Sequence, residues 1–444
     1  MTQVQDVPEQ PTASKRAPLV YPGLKVPFVL LTSCFAAWGI ATAMTDPLVK
    51  VFSKIFSMNT LQSSLVQFAF YGAYFCLALP AAFINRRYSY KTGVLTGLAI
   101  FCVGAFLFYP AAKLEAYLPF LAALFILASG LSILETSANP FMISMGDERS
   151  ATRRLNLAQA FNPVGTNIGI LISTVFILTK LNPASEAERA AMPPGQLQAI
   201  QQAELGAVMA PYVIIALVLV ALWIAFYLTK VPPAREHVEG DEAFLPTMRR
   251  LMRNPHYRFG VITQFFYVGA QTCTWTFTIQ YIESSLDASA VTGGLFLQYS
   301  MIVFLISRFV FTYLMRFISP PRLLLAASVV AVLLNVVVIL SPNIVGAWAL
   351  VMVSFSMSLM FPTIYGVALH GLGADTKFGG AGLVMAILGG ALLPLVQGAM
   401  MDALGAPASF TLMVLCFAVV TLYAWYEVRH GRIDTAGVPV TAGH

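Results

Sequence analysis

Two carboxylates, Asp46 and Glu135, sit inside stretches that otherwise read as lipid-soluble helix. A charge at the centre of a bilayer costs about 3 kcal/mol by insertion scales and more by simulation. A chain keeps such a group where it faces a cavity, has a partner or carries a proton. Glu135 lies in Leu131-Ser132-Ile133-Leu134-Glu135-Thr136-Ser137-Ala138-Asn139-Pro140, well inside an apolar run. Asp46 is near the end of its run, followed by Pro47, but apolar Val49, Val51 and Phe52 continue past it and place it below the surface. A carboxyl so placed can be neutral in one conformation and ionised in another, which is the chemistry of proton carriage. The alternatives are a water-interface carboxylate for Asp46 and a structural ion pair for Glu135. Arg308, a cavity-charge candidate and the one basic residue within an apolar run, is the partner such a pair would use.

Around these charges lie groups suited to a neutral polar molecule. Gln159 and Asn162 are three apart and share one helix face, with Asn156 and Asn167 widening the stripe. Amides read hydroxyls well, since each offers donors and an acceptor; the alternative is hydrogen bonding between helices. Further along, Gln264, Tyr267 and Gln271 share a face, with Trp275 one turn beyond. Gln298 precedes Arg308, and Phe361, Pro362 and Tyr365 follow in a later run. Rings stacked on the apolar face of a sugar, with amides on its hydroxyls, would use this mixture; plain packing is the other reading. Pro140 should kink its helix and free a carbonyl, which Asn139 could satisfy. His370 falls at the end of a run and is given no role.

The elements that must position these residues follow from composition. The chain is 58% hydrophobic and 10% charged over 444 residues. A soluble domain carries about 25% charged residues, so this chain cannot build a water-facing surface and is read as an all-α membrane protein. Long continuous apolar runs exclude a β-barrel. Twelve spans are predicted, in two six-helix bundles: 26–50, 61–84, 92–112, 117–146, 155–179 and 206–229, then 258–283, 291–315, 321–341, 345–370, 378–401 and 407–427. The predicted division is a tail at 1–25, a bundle at 26–229, a polar linker at 230–257, a bundle at 258–427 and a tail at 428–444, with a site between the bundles.

If both ends are cytoplasmic, twenty of the 26 Lys and Arg fall inside. Lys50, Lys54, Lys113, Lys180 and Arg189 fall outside, and the bias supports that orientation. The net charge of +6 is therefore a topology signal and not a nucleic-acid one. The outer connection 180–205 is expected to be a cap without chemistry. All five cysteines lie in apolar runs without disulfide or zinc spacing and are expected to be buried. The first twenty residues lack the pattern of a cleavable leader. No metal helix, phosphate loop or cofactor fingerprint is present, so neither an enzyme nor a cofactor is expected, and a proton gradient is the expected drive.

At these residues the chain resembles the L-fucose–proton symporter family of the major facilitator superfamily. The likeness is carried by Phe70-Tyr71-Gly72-Ala73-Tyr74-Phe75, Leu134-Glu135-Thr136-Ser137-Ala138-Asn139-Pro140-Phe141, Arg154-Leu155-Asn156-Leu157-Ala158-Gln159-Ala160-Phe161-Asn162, Tyr267-Val268-Gly269-Ala270-Gln271-Thr272 and Phe361-Pro362-Thr363-Ile364-Tyr365. The resemblance implies a monomeric importer of a small neutral sugar with a proton, multi-pass in a bacterial inner membrane. It implies that Asp46 and Glu135 are the protonatable pair, with Gln159 and Asn162 beside the sugar. The chain departs from the family just before the first carboxylate: it reads Thr42-Ala43-Met44-Thr45-Asp46, where the family has asparagines. That departure leaves the choice among L-fucose, galactose and glucose open. The rival readings are a proton-driven exporter of another solute and a transport-fold sugar sensor.

Overall fold

The computed structural model describes residues 18–55, 60–114, 117–177, 182, 184, 188–189, 191–231 and 244–430. Every regular element among them is helical. Four long helices open the chain: Lys25–Ile55, Thr60–Arg87, Tyr90–Leu114 and Tyr117–Ser144. The fifth run is broken into Ala151–Gln159 and Phe161–Ile172 and ends in a π-helical turn, Ser173–Ile177. Pro194–Leu228 forms the sixth and Phe244–Arg253 a short linker helix. The seventh run is split into Pro255–Thr276 and Thr278–Leu286. Ala290–Leu314 and Pro320–Leu340 are continuous, whereas the tenth run breaks between Ile344–Met357 and Met360–Ala368. Thr376–Met385 and Gly389–Leu404 make the eleventh, and Thr411–His430 the last.

Among the described residues, ten stretches are long and apolar enough to cross a membrane. The two remaining expected spans, 155–179 and 258–283, are helical in pieces. They are the runs that carry Asn156, Gln159, Asn162 and Asn167 in one case and Gln264 and Gln271 in the other. The least lipid-soluble of the expected spans in each half is thus the one richest in amides.

Small residues set how closely helices approach, since packing rather than hydrophobicity drives association in lipid. Lys25–Ile55 lies against Phe161–Ile172 at Gly39 and Gly165: a Cβ on Gly165 would run into the carbonyl of Ala36, and one on Gly39 into that of Asn162. These obstacles are backbone and cannot rotate away. Gly165→Leu is therefore expected to force the two helices apart, at about 1–3 kcal/mol or more. Thermal unfolding of the detergent-solubilised protein should show a clear drop in midpoint; an unchanged midpoint would refute the close-packing argument.

Two arginines act structurally. Arg154, which reads in the sequence as a loop charge, is fully buried. It donates to the carbonyls of Met142 (2.6 Å) and Ile143, at the end of Tyr117–Ser144, and to Leu19 (2.9 Å). A guanidinium there satisfies carbonyls that the helix end leaves without partners. Arg189, in the connection 180–205, forms a buried two-point ion pair with Glu204, 2.5 and 2.9 Å. It also binds the carbonyls of Asn182 and Ala184 at 3.1 and 3.2 Å. The pair holds the guanidinium charged more firmly than usual. The cap is thus less separate than the sequence suggests, because the helix carrying Glu204 starts at Pro194 and runs unbroken into the sixth span. Removing one partner of a buried pair costs about 3–5 kcal/mol, so Glu204→Ala should expose the 182–204 segment to protease while Glu204→Ala/Arg189→Leu recovers part of the resistance. Equal resistance in wild type and Glu204→Ala would contradict this.

Contacts between the two sets of helices cluster at the end carrying segments 87–90, 144–151 and 368–376. Asn156 Nδ2 donates to Thr363 Oγ1 (3.2 Å), and the Gly371 N–H donates to Glu148 Oε1 (3.0 Å). Phe83 and Phe244 both pack on Phe378, at centroid separations of 5.2 and 5.3 Å. Arg250 of the linker helix grips Asp375 by two hydrogen bonds, 2.6 and 2.5 Å. Four of the five cysteines are buried as expected; Cys76 is a correction, being exposed on the outside of its helix, where a lipid-facing position tolerates it.

Candidate functional site

Glu135 lies in the middle of Tyr117–Ser144 and is 1% exposed. Its Oε1 accepts from Asn139 Nδ2 at 3.5 Å, one helical turn along, and its Oε2 has no partner. Asn139 Oδ1 in turn accepts from Gln159 Nε2 at 2.8 Å. A carboxyl, an amide and a second amide are therefore wired across two helices. Asn139 links Glu135 to Gln159 instead of mending the Pro140 defect, which is a use the sequence does not disclose. A narrow crevice lined by Leu31, Cys34, Phe35, Trp38, Leu134, Glu135 and Ala138 opens beside the carboxyl. The hydroxyls of Tyr74 and Tyr365 lie within electrostatic reach of it.

Arg308 is buried but is not the ion-pair partner of Glu135. Its Nε donates to the carbonyl of Ser358 (2.5 Å) and its Nη1 to the carbonyl of Gln159 (3.0 Å), and its face lies 4.9 Å from the Phe304 ring centroid. Among the described residues no carboxylate neutralises it. Two backbone carbonyls and a ring face take the place of the expected anion.

Gln159 and Asn162 are three apart and the backbone between them stays helical, with Ala160 at φ −64°, ψ −18°. Gln159 donates to Asn139, whereas Asn162 donates to the Phe35 carbonyl at 3.3 Å, so the two amides serve different neighbouring helices. Tyr267 is buried and donates to the Met357 carbonyl (2.9 Å), and Gln271 is half-buried beyond it. Phe361 stacks on Tyr365 at 6.3 Å and meets Tyr267 at 6.5 Å, giving a ladder of three rings. The Tyr365 hydroxyl is buried beside the Asn139 side chain. Gln298 donates to Asn167 Oδ1 at 3.3 Å, joining the eighth run to the fifth. Asp46 lies in Lys25–Ile55, but its side chain is outside the described residues.

Together these groups place a buried carboxyl with a free oxygen, a buried phenol and several amides beside a ring ladder, at the meeting of both helix sets. A buried carboxyl oxygen with no protein partner is suited to a proton or a hydroxyl donor. Trp38 and Tyr74 belong to this environment and were not singled out from the sequence. Their only sequence signal is that they sit at mid-span with a polar tip.

Comparison with known proteins places this arrangement. Residues 28–387 match the Major Facilitator Superfamily. The chain is 42% identical, over 90% of its length and 96% of the relative's, to a protein of Haemophilus influenzae named L-fucose-proton symporter. It is 34% identical to a glucose/galactose transporter of Brucella abortus, covering 88% of this chain and 92% of that one. The crystal structure of the transporter FucP in the outward conformation superposes with a TM-score of 0.86 at 36% identity, covering 91% of this chain and 99% of the other. Likeness of this extent, in sequence along nearly the whole chain and in the path of the backbone, makes the chain a member of the L-fucose–proton symporter family of the Major Facilitator Superfamily.

Proposed function

We propose that this protein imports a neutral monosaccharide together with a proton, by alternating access to a site between two six-helix bundles, 26–229 and 258–427. The observation that carries the reading is the Glu135–Asn139–Gln159 network, in which a buried carboxyl keeps one oxygen free beside amides and rings. Relatives named for L-fucose–proton symport and for glucose and galactose transport support the same substrate class.

In this reading Asp46 and Glu135 exchange the proton. Gln159, Asn162 and Gln271 meet sugar hydroxyls, and Tyr267, Phe361 and Tyr365 line its apolar face. No cofactor takes part, and a monomer suffices. The protein sits in the bacterial inner membrane with both termini in the cytoplasm, so that segments 87–90, 144–151 and 368–376 face inward. The contacts clustered there support a state closed to the cytoplasm and open outward.

The sugar is L-fucose-like or another hexose. Thr42 bears on that choice: its hydroxyl lies 3.1 Å from the carbonyls of Trp38 and Gly39 on its own helix. It therefore offers a sugar less than the amide that relatives place in this stretch. The test is external alkalinisation in de-energised vesicles on adding L-fucose, D-galactose, D-glucose, D-mannose or N-acetylglucosamine. A sugar that draws protons in identifies both the coupling and the substrate. Silence with all five, in membranes shown to contain the protein, would reject the proposal for this substrate set.

A further inference from the structure

Gln159 and Ser358 stand at equivalent defects in the two halves. Each precedes a proline by four residues, Pro163 and Pro362, and each lies at a break in its helix. A helical carbonyl takes its hydrogen bond from the N–H four residues later, and proline has none. Both carbonyls are thus orphaned, and burying an unpaired carbonyl is costly. Arg308 fills both: Nη1 reaches the Gln159 carbonyl at 3.0 Å and Nε the Ser358 carbonyl at 2.5 Å. One of these helices belongs to the first half and the other to the second. The Gln159 it holds is also the residue whose side chain reaches Asn139 and, through it, Glu135.

We propose that Arg308 is a positioning residue that clamps the two proline-broken helices together in the state closed at the 144–151 end, and that the clamp is released when that end opens. The inference rests on the alternating-access reading above. The guanidinium fork suits the role, because its fixed geometry presents separate N–H groups to two acceptors, which an ammonium does not. Its charge lies against Phe304, and no acid among the described residues competes for it. Rocking the halves separates the fifth helix from the eighth and tenth and must break the Gln159 contact. The Glu135 network then loses its anchor at the moment of the switch. The same guanidinium therefore ties the conformation of the gate to the surroundings of the carboxyl.

The test uses Thr152→Cys in a Cys76→Ser background. Thr152 is buried at the inter-half contact against Gly366, so thiol labelling there reports opening. The assay needs neither sugar nor a proton gradient, so it is independent of whether the substrate proposal holds. Arg308→Gln should label about tenfold faster, within the usual span of coupling between sites. In uptake, the maximal rate should fall with the half-saturating sugar concentration unchanged. Adding Pro163→Ala and Pro362→Ala returns an N–H to each carbonyl from within its own helix, which leaves the halves untied, so fast labelling should persist in the Arg308→Gln background. A residue that merely satisfies two open carbonyls would be rescued by these alanines. Wild-type labelling in Arg308→Gln, or slow labelling restored by the alanines, overturns the proposal. If Arg308→Gln does not reach the membrane, Arg308→Lys decides instead: labelling faster than wild type supports the clamp and wild-type labelling overturns it.

Discussion

Glu135→Gln is expected to leave sugar exchange working and to abolish accumulation against a gradient. Glutamine has the shape of a protonated glutamate and can keep the 3.5 Å contact with Asn139. It places a donor or an acceptor where Oε2 now stands free, so a sugar hydroxyl still finds a partner. What it cannot do is release a proton. Counterflow between sugar-loaded vesicles and labelled sugar outside should therefore persist and become independent of pH. Net uptake driven by a proton gradient should fall about tenfold or more, equivalent to about 1.4 kcal/mol of lost coupling. Accumulation at the wild-type level with an unchanged pH profile would reduce Glu135 to a structural residue.

Asp46→Asn carries the second large effect. The two carboxylates have different placements in the sequence: Glu135 at mid-helix, Asp46 in the last third of Lys25–Ile55. In the proposed orientation, with the N-terminus in the cytoplasm, a proton taken from outside meets Asp46 first, so neutralising it should remove the loading step. Uphill uptake is expected to vanish and the sugar to come only to equal concentrations on both sides. Exchange in Asp46→Asn should also become insensitive to external pH. Unimpaired accumulation would take Asp46 out of the coupling chain and leave Glu135 as the sole carrier of the proton. The double variant should be no worse in accumulation than either single one, because residues that act in one relay do not contribute additively.

Much of the fold was legible before any coordinates. The scarcity of charge, the length of the apolar runs and the placement of Lys and Arg each follow from the cost of polar groups in hydrocarbon, and that cost acts locally. The carboxylates were conspicuous for the same reason. The partnerships were not. Arg308 and Glu135 invite pairing on charge alone, yet the guanidinium is taken by two carbonyls that prolines leave open. Gln159 and Asn162 stand three apart on one helix, yet the fold gives them partners on two different helices, Asn139 and the Phe35 carbonyl. Arg154 reads as a surface charge by the positive-inside pattern, while in the fold it ends a helix.

The sequence by itself determined that this is an all-helical membrane protein, which runs are least content in lipid, and which buried charges demand an explanation. Those properties depend on the transfer of single side chains and helices between water and hydrocarbon, and each is written in consecutive residues. Only the tertiary structure decided which polar atoms are paired and which are left free. Hydrogen bonds reach about 3 Å, whereas their partners here are separated by as many as 223 positions along the chain, as in Glu148 and Gly371. The free oxygen of Glu135 and the two-carbonyl grip of Arg308 exist because helices from both halves meet at one place, and no run of neighbouring residues records that meeting.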